Sequence, residues 1–217
     1  MTPIDRDRII LAKIGWSEHY NGLDEGDNPR GNFEGLRRGG PGNEAFNFKR
    51  AADGRNYGYF RANRGRLRLR RIYDGSSGDA IGGVTVVWVS VPLDEIGLRV
   101  VGWYRNATVF DSEKFGPWSD ERYVGEESPE GKCRYICSAP ADESVCLSSP
   151  NRETWKLPKT VTDRMRQTNV RHPHVSDSAE RAPWVSQMES LIVRIESFRP
   201  GPNPQPSDTN EATARPS

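Results

Sequence analysis

Residues 82–110 (GGVTVVWVSVPLDEIGLRVVGWYRNATVF) constrain the fold of this chain more than any other stretch. Val84, Thr85, Val86, Val87, Trp88, Val89, Ser90 and Val91 form an almost continuous β-branched and aromatic run. Such a run suits a strand buried on both faces or closed inside a barrel. Residues 92–97 supply a turn, and residues 98–104 run back as the partner strand. Trp103, Tyr104, Arg105, Asn106, Ala107 and Thr108 then gather aromatic and hydrogen-bonding side chains at a strand end. The hairpin is expected to form the core of a small barrel whose mouth could hold a flat, partly polar ligand.

The flanking segments add strands and one helix. Residues 9–16 (ILAKIGW after Ile9) read as a first strand, followed by a Gly-, Asn- and Arg-rich loop to Asn43. Residues 44–48 and 56–60 read as a hairpin about Asp53-Gly54, which brings Phe46, Phe48, Tyr57 and Tyr59 together. Residues 132–140 and 144–147 read as strands, 150–152 as a turn, and 164–174 as a loop. Residues 111–131 are acidic and broken by prolines, the pattern of a surface insertion. Pro183 suits the first turn of a helix, and Trp184, Met188, Leu191, Ile192 and Ile195 then share one face. The expected architecture is α+β: a small, mostly antiparallel β-barrel over residues 1–198 with flanking helices and a C-terminal helix. Residues 199–217 have the composition of a disordered tail or linker.

Two constellations point to nucleic acid. Residues 61–71 (RANRGRLRLRR) hold six arginines and no acid. Leu67 and Leu69 alternate with Arg66, Arg68 and Arg70, as in a strand with one buried face and a row of guanidinium groups on the other. Arg61, Arg64, Arg66, Arg68, Arg70 and Arg71 are therefore candidate phosphate ligands, since arginine pairs bidentately with phosphate oxygens. The competing explanation is a solvated edge strand whose charges deter edge-to-edge pairing. The second constellation sets aromatics beside amides: Tyr20 with Asn21, Phe46 with Asn47, and Trp103-Tyr104 with Asn106. With Trp16 and Trp88 these are candidates for a base pocket, in which rings enclose an unstacked base and amides read its edge. Most of them must nevertheless be core.

Other chemistry finds less support. The formal net charge is +1, so electrostatic recognition must come from a local patch. Cys133, Cys137 and Cys146 lack the spacing of a CxxC ligand pair and read as small buried hydrophobes, so neither metal nor cofactor is expected. No GxSxG, HExxH or nucleophile–base pair occurs, and the glycines at 39, 40 and 42 precede a strand rather than a helix. A hydrolase built on His19 with Glu18 and Asp24 is the weakest of the readings considered. No apolar run approaches the roughly 20 residues of a membrane helix, and the first residues lack a secretion signal, so a cytoplasmic protein is expected.

The strings ILAKIGW, YNG, EAFNF, YGYF, GGVTVVWVS and VVGWYRNATVF together resemble an N-terminal domain of bacterial restriction and defence proteins, some of them joined to an HNH nuclease. The resemblance runs on through KCRYICSAPADESVCL, NRETWKLP and QTNV. It is similar in turn to the PUA superfamily, near the EVE and YTH-like domains, which are small β-barrels that hold a modified base in an aromatic pocket. The resemblance implies a non-catalytic reader of a modified, flipped base, the sensor of a restriction system, with DNA as ligand and a nuclease as possible partner. The chain departs from the family in two places. Seventeen residues of tail stand where a nuclease would follow, and Arg171-His172 stands where the family has an aromatic. The alternative is a protein-interaction or structural module that partners a separate nuclease.

Overall fold

A computed structural model describes residues 3–23, 27–30, 42–62, 65–93, 95–116, 133–166, 168–173 and 182–199. Among these residues seven strands form one sheet: β1 (Ile9–Lys13), β2 (Arg55–Gly58), β3 (Ala80–Ser90), β4 (Arg99–Phe115), β5 (Arg134–Pro140), β6 (Ser144–Cys146) and β7 (Val170–Arg171). The spatial order is β2-β5-β4-β3-β1-β7, with β6 also on β4. Pairing is antiparallel except between β1 and β3, which run parallel from Ile9↔Thr85 to Lys13↔Val89.

Among the described residues the sheet is mostly antiparallel and is not closed, so the expected barrel is not confirmed. Its two faces carry two separate cores, as alternation along the central strands requires. Ile10, Ala12, Val84, Val86 and Trp88 point to one side, where Tyr20, Phe60, Leu67, Leu69 and Ile72 cover them. Ile9, Leu11, Val87 and Val89 point to the other, where Trp103, Trp155, Leu157 and Val161 pack with the last helix. A strand with two buried faces, the inference drawn from residues 84–91, is satisfied equally by an open sheet covered on both sides.

The β3–β4 hairpin is bent by three register shifts. Ile81↔Val109 gives way to Val84↔Ala107, so β3 carries the extra residue, at Gly82-Gly83. Gly83 has φ +70, a left-handed conformation open to glycine. From Val84↔Ala107 to Val86↔Tyr104 the extra residue lies on β4, where Asn106 has φ 51. The third shift, beside Trp88↔Gly102, reverses the facing of β4, so that Val101 and Trp103 face opposite cores.

Several local expectations are corrected. Residues 44–48 are not a strand: Asn43–Phe46 is a 3-10 turn. Buried side chains bond to backbone here in place of a ladder. The Glu44 carboxylate accepts the Gly15 N–H at 2.6 Å, and Asn47 uses its amide N–H and oxygen on the Tyr59 carbonyl and N–H at 3.0 and 2.8 Å. β2 pairs with β5, and only Arg50 bridges to it from the preceding segment. Residues 66–71 are likewise not a strand. Arg66 makes one bridge to Ser112, and Leu69–Arg71 is a 3-10 turn. A short helix α1 (Ser149–Glu153) stands where a turn is expected, and a second, α2 (Lys159–Arg164), ends where the expected loop begins. Residues 111–115 prolong β4 rather than starting an insertion.

The C-terminal helix α3 (Ala182–Ser197) is present, with Met188, Leu191, Ile192 and Ile195 buried against the second core. The Trp184 side chain lies outside the described residues, as do residues 117–132 and the expected tail from 200 onward. Among the described residues no helix is long and apolar enough to cross a membrane.

Candidate functional site

The arginine-rich segment lies where β3 begins and β4 ends. The Leu67 N–H donates to the Asp111 carbonyl at 2.6 Å, and Ala62, Leu67, Leu69 and Ile72 are buried in the first core. Arg61, Arg66, Arg68, Arg70 and Arg71 are all exposed. The alternation is thus real although the element is not a strand: hydrophobic anchors fix an irregular segment and leave its arginines outward. None of these five makes an ion pair with a described residue. Of the acids near it, Asp79 pairs with Lys114 at 3.4 Å and the Asp111 carboxylate accepts the Ser112 hydroxyl at 2.8 Å, while Asp74 is exposed. Arg64 lies outside the described residues.

The segment continues into Tyr73, a residue that sequence reasoning missed. The residue is 39% exposed, and the Arg8 guanidinium lies over its ring at 4.2 Å from the centroid. Arg8 is itself held by the Gly82 carbonyl at 3.1 Å and by Asp5 at 3.4 Å. An aromatic held by a cation beside a row of guanidinium groups combines the two elements of a single-strand or base-stacking surface. The signal was available, because Tyr73 stands two residues after Arg71, the end of the basic run.

The aromatic residues named from sequence are not gathered into one pocket. Trp88 and Tyr104 meet edge-on at 5.1 Å within the first core, and Phe48 meets Tyr104 at 5.4 Å. Trp103 faces the second core, against Trp155 and Phe198, each 5.1 Å away. Phe46 is buried with Ala45 and Cys133. Asn47 is committed to the Tyr59 backbone, Asn106 is an exposed bulge residue, and Asn21 is exposed.

Trp16 and Tyr20 do form a partial cage, and it is filled from within. The Arg152 guanidinium lies 5.2 Å from the Trp16 ring and 5.5 Å from that of Tyr20. Arg152 is fully buried and donates to the carbonyls of Leu147 at 2.8 Å, Ser17 at 2.6 Å and Glu18. The Tyr20 hydroxyl donates to the Gly15 carbonyl at 2.6 Å and accepts the Ser17 N–H at 3.1 Å, with Tyr20 at φ 50. Burial pushes the Tyr20 phenol well above its usual range, and it pushes the Glu44 carboxyl up to about 7 and the Cys146 thiol up to about 11. These groups form a structural knot that fixes residues 15–20 against β6 and α1.

A cavity of about 760 Å³ opens at the opposite end of the sheet, where β1 and β3 end. Lys13, Arg30, Glu95 and Arg166 supply its charged groups, and Ser90, Thr162, Thr168 and Asn169 its neutral polar ones. Between the cavity and the arginine segment lies the length of β3, whose 11 residues span roughly 30 Å at about 3.3 Å each. Among the described residues no cluster of His, Cys, Asp and Glu has the grouping of a metal site.

No family model, curated protein or solved structure matches this chain.

Proposed function

We propose that this chain is a nucleic-acid-binding module without catalytic activity, and that its contact surface is the arginine segment with Arg8 and Tyr73. The observation that carries this reading is the exposure of Arg61, Arg66, Arg68, Arg70 and Arg71 with no ion pair to any described residue. Edge-protecting charges on a sheet need no such arrangement, because this segment is not an edge strand. Leu67, Leu69 and Ile72 fix the backbone that carries these arginines, and their exposed guanidinium groups are open to phosphate oxygens.

Within this proposal, selectivity for a modified base in a restriction or defence setting rests on the family resemblance. Tyr73 is the exposed ring placed to stack on such a base. The rings of Trp88, Trp103 and Tyr104 are already enclosed by other side chains. Fluorescence anisotropy with unmodified, 5-methylcytosine, hydroxymethylcytosine and N6-methyladenine oligonucleotides, single- and double-stranded, tests both levels. Preference for one modification supports the base reader. Equal binding to all of them leaves a general nucleic-acid binder, and no binding at low salt removes the proposal.

A protein-interaction module is the second reading, favoured by one observation. Val91, Leu93 and Ile96 are exposed together in the β3–β4 turn, Ile96 to 89%. Substituting Leu93 and Ile96 by Ser separates the two: a nuclease partner would be lost while nucleic-acid affinity is kept.

A further inference from the structure

We infer that residues 43–46 form a proton-operated latch, closed while the Glu44 carboxyl is neutral and released when it ionises, which on opening uncovers Phe46 and Cys133. Glu44 is 6% exposed, and its side chain accepts the Gly15 N–H at 2.6 Å. Among the described residues no cation pairs with it. The ionisable groups that face it from the elements packed around it are the phenols of Tyr20 and Tyr59. Near those phenols stand Arg152, bonded to three carbonyls, the Cys146 thiol, and the Arg134–Glu113 pair at 3.0 Å. Lys49, on the same segment as Glu44, lies over the Phe46 ring at 5.8 Å. A carboxylate buried without a counter-charge is costly, and release to solvent relieves that cost. Burial accordingly raises the Glu44 carboxyl to about 7, against the opposing pull of the Gly15 hydrogen bond.

The turn is the part that yields. Ala45, Phe46 and Cys133 form a small cluster apart from the two cores of the sheet, so lifting the turn leaves both cores packed. Three backbone donors from outside hold it down. The Gly15 N–H reaches the Glu44 carboxyl, the Gly22 N–H the Ala45 carbonyl at 2.9 Å, and the Arg134 N–H the Asn43 side-chain oxygen at 2.8 Å. Just beyond the turn, Asn47 is fastened to both backbone groups of Tyr59, and the Phe48 N–H donates to the Tyr20 carbonyl at 2.8 Å. These bonds set a pivot at Asn47, about which residues 43–46 can swing without unfolding the sheet. Because the closed value of about 7 lies above the ordinary 4.5, closure is favoured most below about pH 4.5 and weakens as pH rises through 7. Between pH 6 and 8 the open-to-closed ratio should rise about tenfold.

Iodoacetamide labelling of the full chain and of Glu44→Gln, with each cysteine read by peptide mass spectrometry, tests this. In the unsubstituted chain at pH 8, Cys133 should be labelled at least about tenfold faster than Cys137, which lies in the first core and is reached through global unfolding. The Cys133 rate in the unsubstituted chain divided by that in Glu44→Gln cancels the chemistry of the thiol itself. That quotient should rise about tenfold from pH 6 to 8. Hydrogen exchange in the unsubstituted chain decides the matter even if the variant folds poorly. The Gly15, Gly22 and Arg134 amides should open as one group, ahead of the Tyr59 amide, and their opening should grow about tenfold over the same pH range once base catalysis is divided out. Equal labelling of Cys133 and Cys137, a quotient independent of pH, or exchange of the three amides only together with Tyr59 and the central strands would overturn the inference.

Discussion

Replacing Arg152 by Met keeps an unbranched side chain of similar length and removes every donor. The Leu147 and Ser17 carbonyls then lose a charged partner inside the protein, while the Glu18 carbonyl, on a residue open to solvent, can turn to water. A buried acceptor left unpaired costs about 1–3 kcal/mol, so the two enclosed carbonyls set a loss of about 2–6 kcal/mol. The lost cation–π contacts with Trp16 and Tyr20 add about 1 kcal/mol or more. Against this, the variant no longer removes a guanidinium from water, and large desolvation costs of that kind often cancel much of the gain. A net loss of about 3–4 kcal/mol is expected, with Arg152→Lys intermediate because one ammonium reaches fewer of the carbonyls. Urea unfolding followed by tryptophan fluorescence and circular dichroism measures it. A loss below about 1 kcal/mol in Arg152→Met would refute the view that this residue fixes residues 15–20 against β6 and α1.

Substitutions at three further positions probe other parts of the fold. Glu44 has a folded pKa of about 7 against an ordinary 4.5, so the folded protein holds a proton that the unfolded chain has released between these values. The contribution of Glu44 to stability is therefore full below about pH 4.5 and falls by about 3 kcal/mol (2.5 units at about 1.36 each) as pH rises through 7. Glu44→Gln keeps an acceptor for the Gly15 N–H and should remove this contribution, seen as a smaller fall in the denaturation midpoint between pH 5 and 8 than in the parent. A Cβ on Gly102 would stand 2.2 Å from the Val145 carbonyl oxygen and 2.5 Å from the Phe48 ring, so Gly102→Ala should cost about 3 kcal/mol or more by the same unfolding assay. Asn106→Gly should leave stability within about 0.5 kcal/mol, and Asn106→Val should cost about 1–2 kcal/mol, since a β-branched residue resists φ 51.

The parts of the fold legible in sequence were those carried by periodicity. The β3–β4 hairpin, β1, β5, β6 and the apolar face of α3 follow from alternation or from 3.6-residue spacing. What escaped was set by contacts distant in the chain. Glu44 and Asn47 bond to Gly15 and Tyr59, so EAFNF turns instead of extending, and no local pattern shows this. Closure into a barrel could not be distinguished from coverage of two faces, because both bury residues 84–91 equally. Ordinary alternation along β4 places Trp103 and Tyr104, neighbours in sequence, in opposite cores, so they could not share one pocket wall. Arg152 reads as an ordinary turn residue, although it occupies the cage that Trp16 and Tyr20 form. The arginine segment was legible as a surface because its leucine–arginine alternation survives without a strand.

The most direct test of nucleic-acid binding through that surface is the salt dependence of affinity in the unsubstituted chain and in Arg66→Gln/Arg68→Gln/Arg70→Gln. On duplex DNA each phosphate contact contributes a slope of about −0.9 to log K against log salt. If the three arginines each hold a phosphate, the triple variant should bind more weakly to every sequence and lose about 2.7 from the magnitude of the slope. An unchanged slope and affinity in a variant that melts like the parent would contradict it.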